Sequence, residues 1–419
     1  MKKCYFDANV LLPDIQKTEL EKWSVIACDQ FTSEPEYWKK VSDTVGTAPS
    51  TLDLILPEVY LSEAEKRIPV INSKMQEYSK EILVEYPNSM LYIERTQSDG
   101  TIRRGIILAV DLECYDYHKG ADSLIRATEA TVIERIPPRV AIRRNASLEL
   151  PHVMLLIDDP EKTVIEPLSF LSCGKVAYDF ELMLGGGHIK GALIDSAHKK
   201  PVSEALDKLV EPYSMEKKYG DKSLAPLMFA VGDGNHSLAS AKATYEEIKN
   251  KIGVDSALEH PSRYALAEIV NIHDEALKFE PIYRVMTNVD TQNVLSALEE
   301  YIRTLKGTAG EQVIECIYGT DYKKLVVPYA EQQLAVGTLQ TFIDKYISAH
   351  DGAEVDYIHG EASVKKLANK ENSIGFIFKG MEKSELFKTV IFDGALPRKT
   401  FSMGHAEDKR YYLECRKIK

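Results

Sequence analysis

The residues whose types and spacing best suit chemistry lie in Val231–Lys242, VGDGNHSLASAK. An apolar strand is expected to end at Val231 and a helix to run from about Leu238. Between them, Gly232 and Gly234 permit tight or left-handed backbone. Asp233, Asn235 and Ser237 are residue types that cap helices. A helix start presents backbone N–H groups and partial positive charge, so a phosphate or other anion can approach across the glycines. His236 would add a donor or a general acid or base, and Asp233 would hold a magnesium ion or accept a hydroxyl proton. The run contains neither the Gly-Lys-Ser/Thr of a P-loop nor a Gly-x-Gly-x-x-Gly fingerprint. The same spacing also builds an ordinary capped helix after a glycine turn, and spacing alone does not choose between the two.

Further candidates lie elsewhere in the chain. Arg126 and Glu129 are three residues apart in a predicted helix, which puts them on one face and makes a surface ion pair the plain reading. Arg135, Arg139, Arg143 and Arg144 follow within ten residues. Arginine forks match phosphate oxygens, although Pro137-Pro138 breaks a helix and need not leave them on one face. His188 follows three glycines, Gly185–Gly187, that suit either close backbone approach to a ligand or a hairpin tip. Asp29 and Gln30 end an apolar run, a common place for site residues. Leu396–Arg416 gathers Arg398, Lys399, Thr400, His405 and Lys409 in a loop-like stretch.

The elements that would position these residues mix both periodicities. Trp23–Cys28 reads as a buried strand, Ser62–Leu83 as a helix, and Met90–Asp111 as a hairpin turning at Gln97–Gly100. Ala121–Arg135 reads as a helix, Val153–Ile157 as a short buried strand, and Leu227–Val231 then Leu238–Asn250 as strand and helix. Tyr264–Ile272 and Tyr411–Cys415 read as strands and Thr291–Leu305 as a helix. Without regular strand–helix alternation, the fold class is α+β. A chain of 419 residues exceeds the ~250–300 that one core usually serves. Two lobes are therefore expected: residues 1–286, carrying the Asp-Gly-Asn-His turn, and a smaller lobe over 287–419 that returns to the site.

Composition narrows the function. Lys and Arg number 52 against 64 Asp and Glu, giving a net charge of −12. That argues against nucleic acid as partner and leaves room for a local basic pocket. The cysteines Cys4, Cys28, Cys114, Cys173, Cys316 and Cys415 are scattered and form no Cys-x-x-Cys pair, as expected of reduced thiols. No run is apolar enough for a signal peptide or a membrane span, so a cytoplasmic protein is expected.

VGDGNHSLASAK resembles the Asp-Gly-His-His-Arg turn and small-residue helix of the domain-of-unknown-function family numbered 1015. Asp274–Val285, DEALKFEPIYRV, is similar to that family's segment after its turn. Leu124–Arg143 sits where the family carries a His-Glu-x-Thr element followed by an Arg, and a Pro-Lys-Ser/Thr stretch near its end matches Arg398–Thr400. The family's turn in turn resembles the nucleotide-binding turn of the ParB and sulfiredoxin superfamily, which includes free-serine kinases. The resemblance implies nucleotide or phosphate binding, with ATP or ADP as a substrate and phosphoryl transfer to a serine-like hydroxyl compound as one use. It implies Glu129 as a base or magnesium ligand beside Asp233, with Arg126 in the neighbourhood of the family's His. It also implies Arg284 as a clamp, and Arg398, Lys399 and Thr400 reaching the same site. Asn235 stands where the family usually has His, and Ser237 where it usually has the phosphate-clamping Arg.

Two functions follow as expectations. One is a kinase-like phosphotransferase, or a phosphatase using water as acceptor, with Glu129, Asp233 and His236 in catalytic roles. Gly232, Gly234, Asn235, Ser237, Arg126, Arg139, Arg143, Arg284, Arg398, Lys399 and Thr400 would surround the phosphate. The other is a nucleotide-binding switch without turnover.

Overall fold

A computed structural model describes residues 2–129, 136–170 and 173–419. The chain folds into two compact units. The first holds Met1–Ala127, Thr131–Leu277 and His405–Lys419; the second holds Thr128–Ala130 and Lys278–Gly404. The protein is α+β, with mixed sheets flanked by helices.

The first unit is built on ten strands: β1 (Tyr5–Phe6), β2 (Leu91–Thr96), β3 (Ile102–Asp111), β4 (Tyr115–Asp116), β5 (Ile125–Ala127), β6 (Met154–Ile157), β7 (Val176–Glu181), β8 (His188–Leu193), β9 (Phe229–Asp233) and β10 (Tyr264–Asn271). They lie in the order β7-β8-β2-β3-β10-β6-β9-β5-β4, with β1 added beside β3. Successive strand residues face opposite sides, and both sides of this sheet are covered. Tyr92, Ile106, Leu108, Val110 and Leu155 therefore enter one core, while Leu91, Ile93, Ile107, Ala109 and Leu266 enter another. That is why β3 reads as an unbroken apolar run rather than an alternating one.

Two helices frame the site: α1 (Ile136–Arg144) and α2 (Asn235–Ile252). The second unit has its own sheet of β11 (Phe279–Thr287), β12 (Gln312–Tyr318), β13 (Asp321–Val327), β14 (Glu354–His359) and β15 (Ser373–Phe378), ordered β13-β12-β15-β11-β14. A short β16 (Phe401–Met403) pairs with the start of β11. Among the described residues, no helix is long and apolar enough to cross a membrane.

Several local expectations change. Ala121–Arg135 is not a helix where it is described: Ile125–Ala127 forms β5, parallel to both β9 and β4, because these three residues are buried between those two strands. The helix instead begins at Ile136 and runs through both prolines. Pro137 and Pro138 fall in its first turn, where backbone N–H groups have no intrahelical partner to lose. Arg135 lies outside the described residues. Trp23–Cys28 is a short helix, Leu20–Trp23, followed by one bridge from Ile26 to Tyr411. Tyr411–Cys415 likewise runs beside the N-terminal segment through single bridges rather than as a strand. Burial with isolated backbone hydrogen bonds, such as Tyr412 N–H to the Val25 carbonyl, gives the apolar pattern of a strand without a continuous ladder.

Candidate functional site

The strand–turn–helix forms where the sequence placed it, with the strand ending two residues later and the helix starting three residues earlier. β9 ends at Asp233, Gly234 takes the N-cap position, and α2 already includes Asn235, His236 and Ser237. Gly234 has φ of +77°, which strains any L side chain, and a Cβ there would sit 3.1 Å from Val153 Cα. At Gly232 a Cβ would meet Leu156 Cγ at 2.8 Å. Gly232 thus lets the turn pack against β6 itself, and Gly234 against Val153 just before it. The Gly234 N–H donates to Asp233 Oδ1 at 2.9 Å, and Lys409 Nζ lies 3.1 Å from Asp233 Oδ2. Among the described residues no side chain caps α2 from its N-cap position, and its first turn carries no acidic residue, so its positive end is not cancelled from within the helix.

Beside this turn stands His152, only 5% exposed. Its Nδ1 lies 2.7 Å from Tyr412 Oη, and its Nε2 lies 3.2 Å from Ser237 Oγ and 3.5 Å from Asp29 Oδ2. The Tyr412 hydroxyl donates to Cys28 Sγ at 3.1 Å. With its proton committed there, Tyr412 accepts from Nδ1–H, which fixes the tautomer and turns Nε2 toward Ser237 and Asp29. Burial works against a charged imidazole, but the Asp29 carboxylate, with Asp233 and Glu58, outweighs it and holds the His152 pKa above its ordinary value. Burial likewise pushes against the Asp29 carboxylate, but His152, Gln30 and Lys409 together keep it well below the usual carboxylate range. Burial pushes the Cys28 thiol up to about 12, so it is no nucleophile at neutral pH.

A partly open cavity of about 160 Å3 adjoins this cluster. Cys28, His152, Ser237 and Tyr412 form its polar end, the Arg139–Glu58 ion pair lines it, and leucines, isoleucines and a methionine make most of its wall. The arrangement offers an imidazole and a hydroxyl lining a space of small-molecule size, with a helix start and, beside Asp233, the cationic Lys409 nearby.

The other predicted residues are placed differently. Arg126 is buried and donates to the carbonyls of Ser123, Ala225 and Pro226, so it fastens backbone. Arg139 and Arg143 lie four apart on α1, on one face despite the prolines, and pair with Glu58 and Glu149. Arg144 pairs with Glu247 on α2 at 2.9 Å. His188 spans the β7–β8 hairpin to Asp179 at 2.9 Å, and Gly185–Gly187 form the tip. Gly187, at φ of +75°, packs against the Thr96 carbonyl, so here the hairpin reading of the glycines accounts for them.

In the second unit, Arg284 is fully buried and donates to Gln340 and to the carbonyls of Ile282, Arg398 and Lys399. It shapes the 397–400 loop from beneath, and burial lowers its pKa to about 10. Arg398 pairs with Asp344 at 3.2 Å, Lys399 lies over the Tyr357 ring, and Thr400 Oγ1 donates to the Pro397 carbonyl. Glu129 bridges to Leu396 in the same unit. The structure therefore gathers Asp29, Asp233 and Ser237 in the first unit and Glu129, Arg284, Arg398, Lys399 and Thr400 in the second.

The expected magnesium site finds no support in the donors. Asp233 is occupied by Lys409 and the Gly234 N–H, and among the described residues no group of three or more His, Cys, Asp or Glu is arranged to hold a metal ion. Sequence reasoning passed over His152, Tyr412 and Glu58. The available signal was His152 itself, a histidine directly before the apolar run of β6 and therefore carried into the sheet.

The likeness to solved structures is distant. A free serine kinase in complex with AMP matches with a TM-score of 0.37 at 12% identity, covering 74% of this chain and 92% of its own. A conserved hypothetical protein from Pyrococcus furiosus matches with 0.35 at 13%, covering 75% and 95%. SbnI with a C-terminal truncation, from Staphylococcus aureus, matches with 0.34 at 10%, covering 71% and 82%. At these values the likeness carries no functional argument. No curated protein matches the chain. A family model does, over residues 13–417, and the chain belongs to that family, the proteins of unknown function designated DUF1015.

Proposed function

We propose that the protein binds a nucleotide or phosphorylated metabolite at the start of α2 and transfers a phosphoryl group to or from a small hydroxyl compound. The observation that carries this reading is His152, buried at the head of a cavity with Nε2 facing both Ser237 and Asp29. The start of α2 and Lys409 supply positive charge for a phosphate, in the manner of a ParB-like turn. In the forward step the acceptor hydroxyl gives its proton to His152 Nε2, with Asp29 steadying the imidazolium. The acceptor oxygen bonds to phosphorus, and the bond from phosphorus to the donor's bridging oxygen breaks, releasing the shortened phosphate. Water in place of the alcohol makes the same step a hydrolysis.

One observation favours the second reading, a nucleotide-binding switch without turnover. Arg126 and Arg284 are spent on backbone carbonyls, and Arg139 and Arg143 on carboxylates. Phosphoryl transfer ordinarily spends such forks on the phosphate. The scattered cysteines and net charge of −12 suit a cytoplasmic protein acting on a small ligand rather than on nucleic acid.

Turnover separates the two. Incubating the full chain with ATP and a panel of small alcohols, L-serine included, and following products by phosphorus NMR should show acceptor-dependent loss of ATP that His152→Ala removes. ATP that is bound yet never consumed would leave the switch standing and refute the transferase.

A further inference from the structure

The cavity at α2 has a wall that phosphate binding does not use. Leu54, Leu56, Met75, Ile142, Leu148 and Leu266 surround it with hydrocarbon. Its charged lining groups are already each other's counter-ions, Arg139 with Glu58 and Arg143 with Glu149. A zwitterion such as an amino acid would be neutralised there only by breaking such a pair, and separating partly buried partners is costly. An uncharged hydroxyl needs one acceptor and one donor, and His152 Nε2 and Ser237 Oγ at the polar end provide both. The size agrees: the cavity is about 160 Å3, and an apolar protein cavity of about 150 Å3 is known to take benzene.

We infer that this cavity is the acceptor subsite and takes a small alcohol with an aromatic or branched aliphatic body, its hydroxyl against His152 and Ser237. The acceptor role rests on the phosphoryl-transfer reading; the preference for an apolar body stands without it. Ala241, on α2, sets the available depth because its methyl lines the cavity from the helix side.

Calorimetric titration of the full chain with benzyl alcohol, isoamyl alcohol and L-serine, and separately with pyrophosphate, tests this. Both alcohols should bind, with L-serine weaker by about tenfold or more. Ala241→Leu should weaken benzyl alcohol by about tenfold, as expected when a pocket loses the volume of several methyl groups, and leave pyrophosphate unchanged. If Ala241→Leu does not fold, Leu56→Ala decides: by enlarging the cavity it should raise affinity for the bulkier naphthalenemethanol relative to benzyl alcohol. L-serine binding as tightly as the alcohols, or alcohol affinity indifferent to both substitutions, would overturn the inference. Pyrophosphate binding without alcohol binding would also overturn it and leave the phosphate reading standing. Alcohol binding without pyrophosphate binding would support the apolar cavity and contradict phosphoryl transfer at this site.

Discussion

Two buried charge clusters of the first unit look alike in composition and differ in what they leave open. One centres on Glu268, which meets Arg103 and Arg410, while Arg410 also meets Glu414 and Glu414 meets Tyr178. Arg95 and Arg103 add bonds to the carbonyls of Glu407 and Asp408. Gly105 makes the room, since a Cβ there would lie 2.7 Å from Glu268 Oε1. The other cluster is Asp29, His152, Ser237 and Tyr412, with Asp233 and Lys409 beside it. In the first, opposite charges and carbonyls answer one another inside the core. In the second, a titrating imidazole and a hydroxyl line a cavity. The contrast separates charge that builds from charge that can act, and the two are linked through the chain. Arg410 lies between Lys409 and Tyr412 and donates to the Pro151 carbonyl next to His152, so the closed cluster positions the open one.

Breaking the closed cluster should have the largest effect. Arg410→Ala leaves Glu268 and Glu414 buried without their main partner, and such losses cost about 3–5 kcal/mol. Urea unfolding should register that drop, and a loss under ~1 kcal/mol would mean that the cluster does not anchor the core. Gly234→Ala comes next. It forces an L side chain into left-handed backbone against Val153, costing more than the ~1–2 kcal/mol of the backbone term, whereas Gly220→Ala, left-handed as well but with open space around it, should lose only that backbone term.

The smallest effect on stability, and the sharpest on chemistry, belongs to Asp29→Asn. The His152 pKa is raised in the folded protein, so its contribution to stability is present below the unfolded value and lost as pH rises through the folded value. Asp29 and Glu268 carboxyls are held low, so theirs is present above the unfolded carboxylate value and lost as pH falls through the folded one. Asp29→Asn should therefore bring the His152 titration, followed by imidazole NMR, back down and flatten stability across its range. An unchanged titration would show that Asp29 is not the group sustaining the imidazolium.

How much of this was legible in the sequence follows from what each pattern encodes. The glycine turn between β9 and α2 was readable because backbone need, helix start and apolar strand lie within a dozen residues. Mixed periodicity likewise gave α+β. Arg126 and Arg284 donate to backbone carbonyls, which their type could not reveal, because it announces a fork but not its target. Ile125–Ala127 read as helix because three residues carry too little periodicity to reveal that they fill a place between two strands of the sheet. His152, Tyr412 and Asp29 could not be joined from sequence at all: they are separated by more than a hundred residues, and only the folded sheet brings them to one cavity.

The central claim is that the start of α2 with Lys409 forms a phosphate site beside His152. Thermal unfolding of the full chain with ATP, ADP or pyrophosphate tests it most directly. At about 100 times the dissociation constant a ligand adds ~2.7 kcal/mol to stability, so a clear rise in melting temperature is expected. The rise should shrink sharply in Lys409→Ala, which removes the cation beside the turn, and persist in His188→Ala, whose histidine serves the hairpin. No rise with any of the three compounds, or a full rise in Lys409→Ala, would contradict the claim.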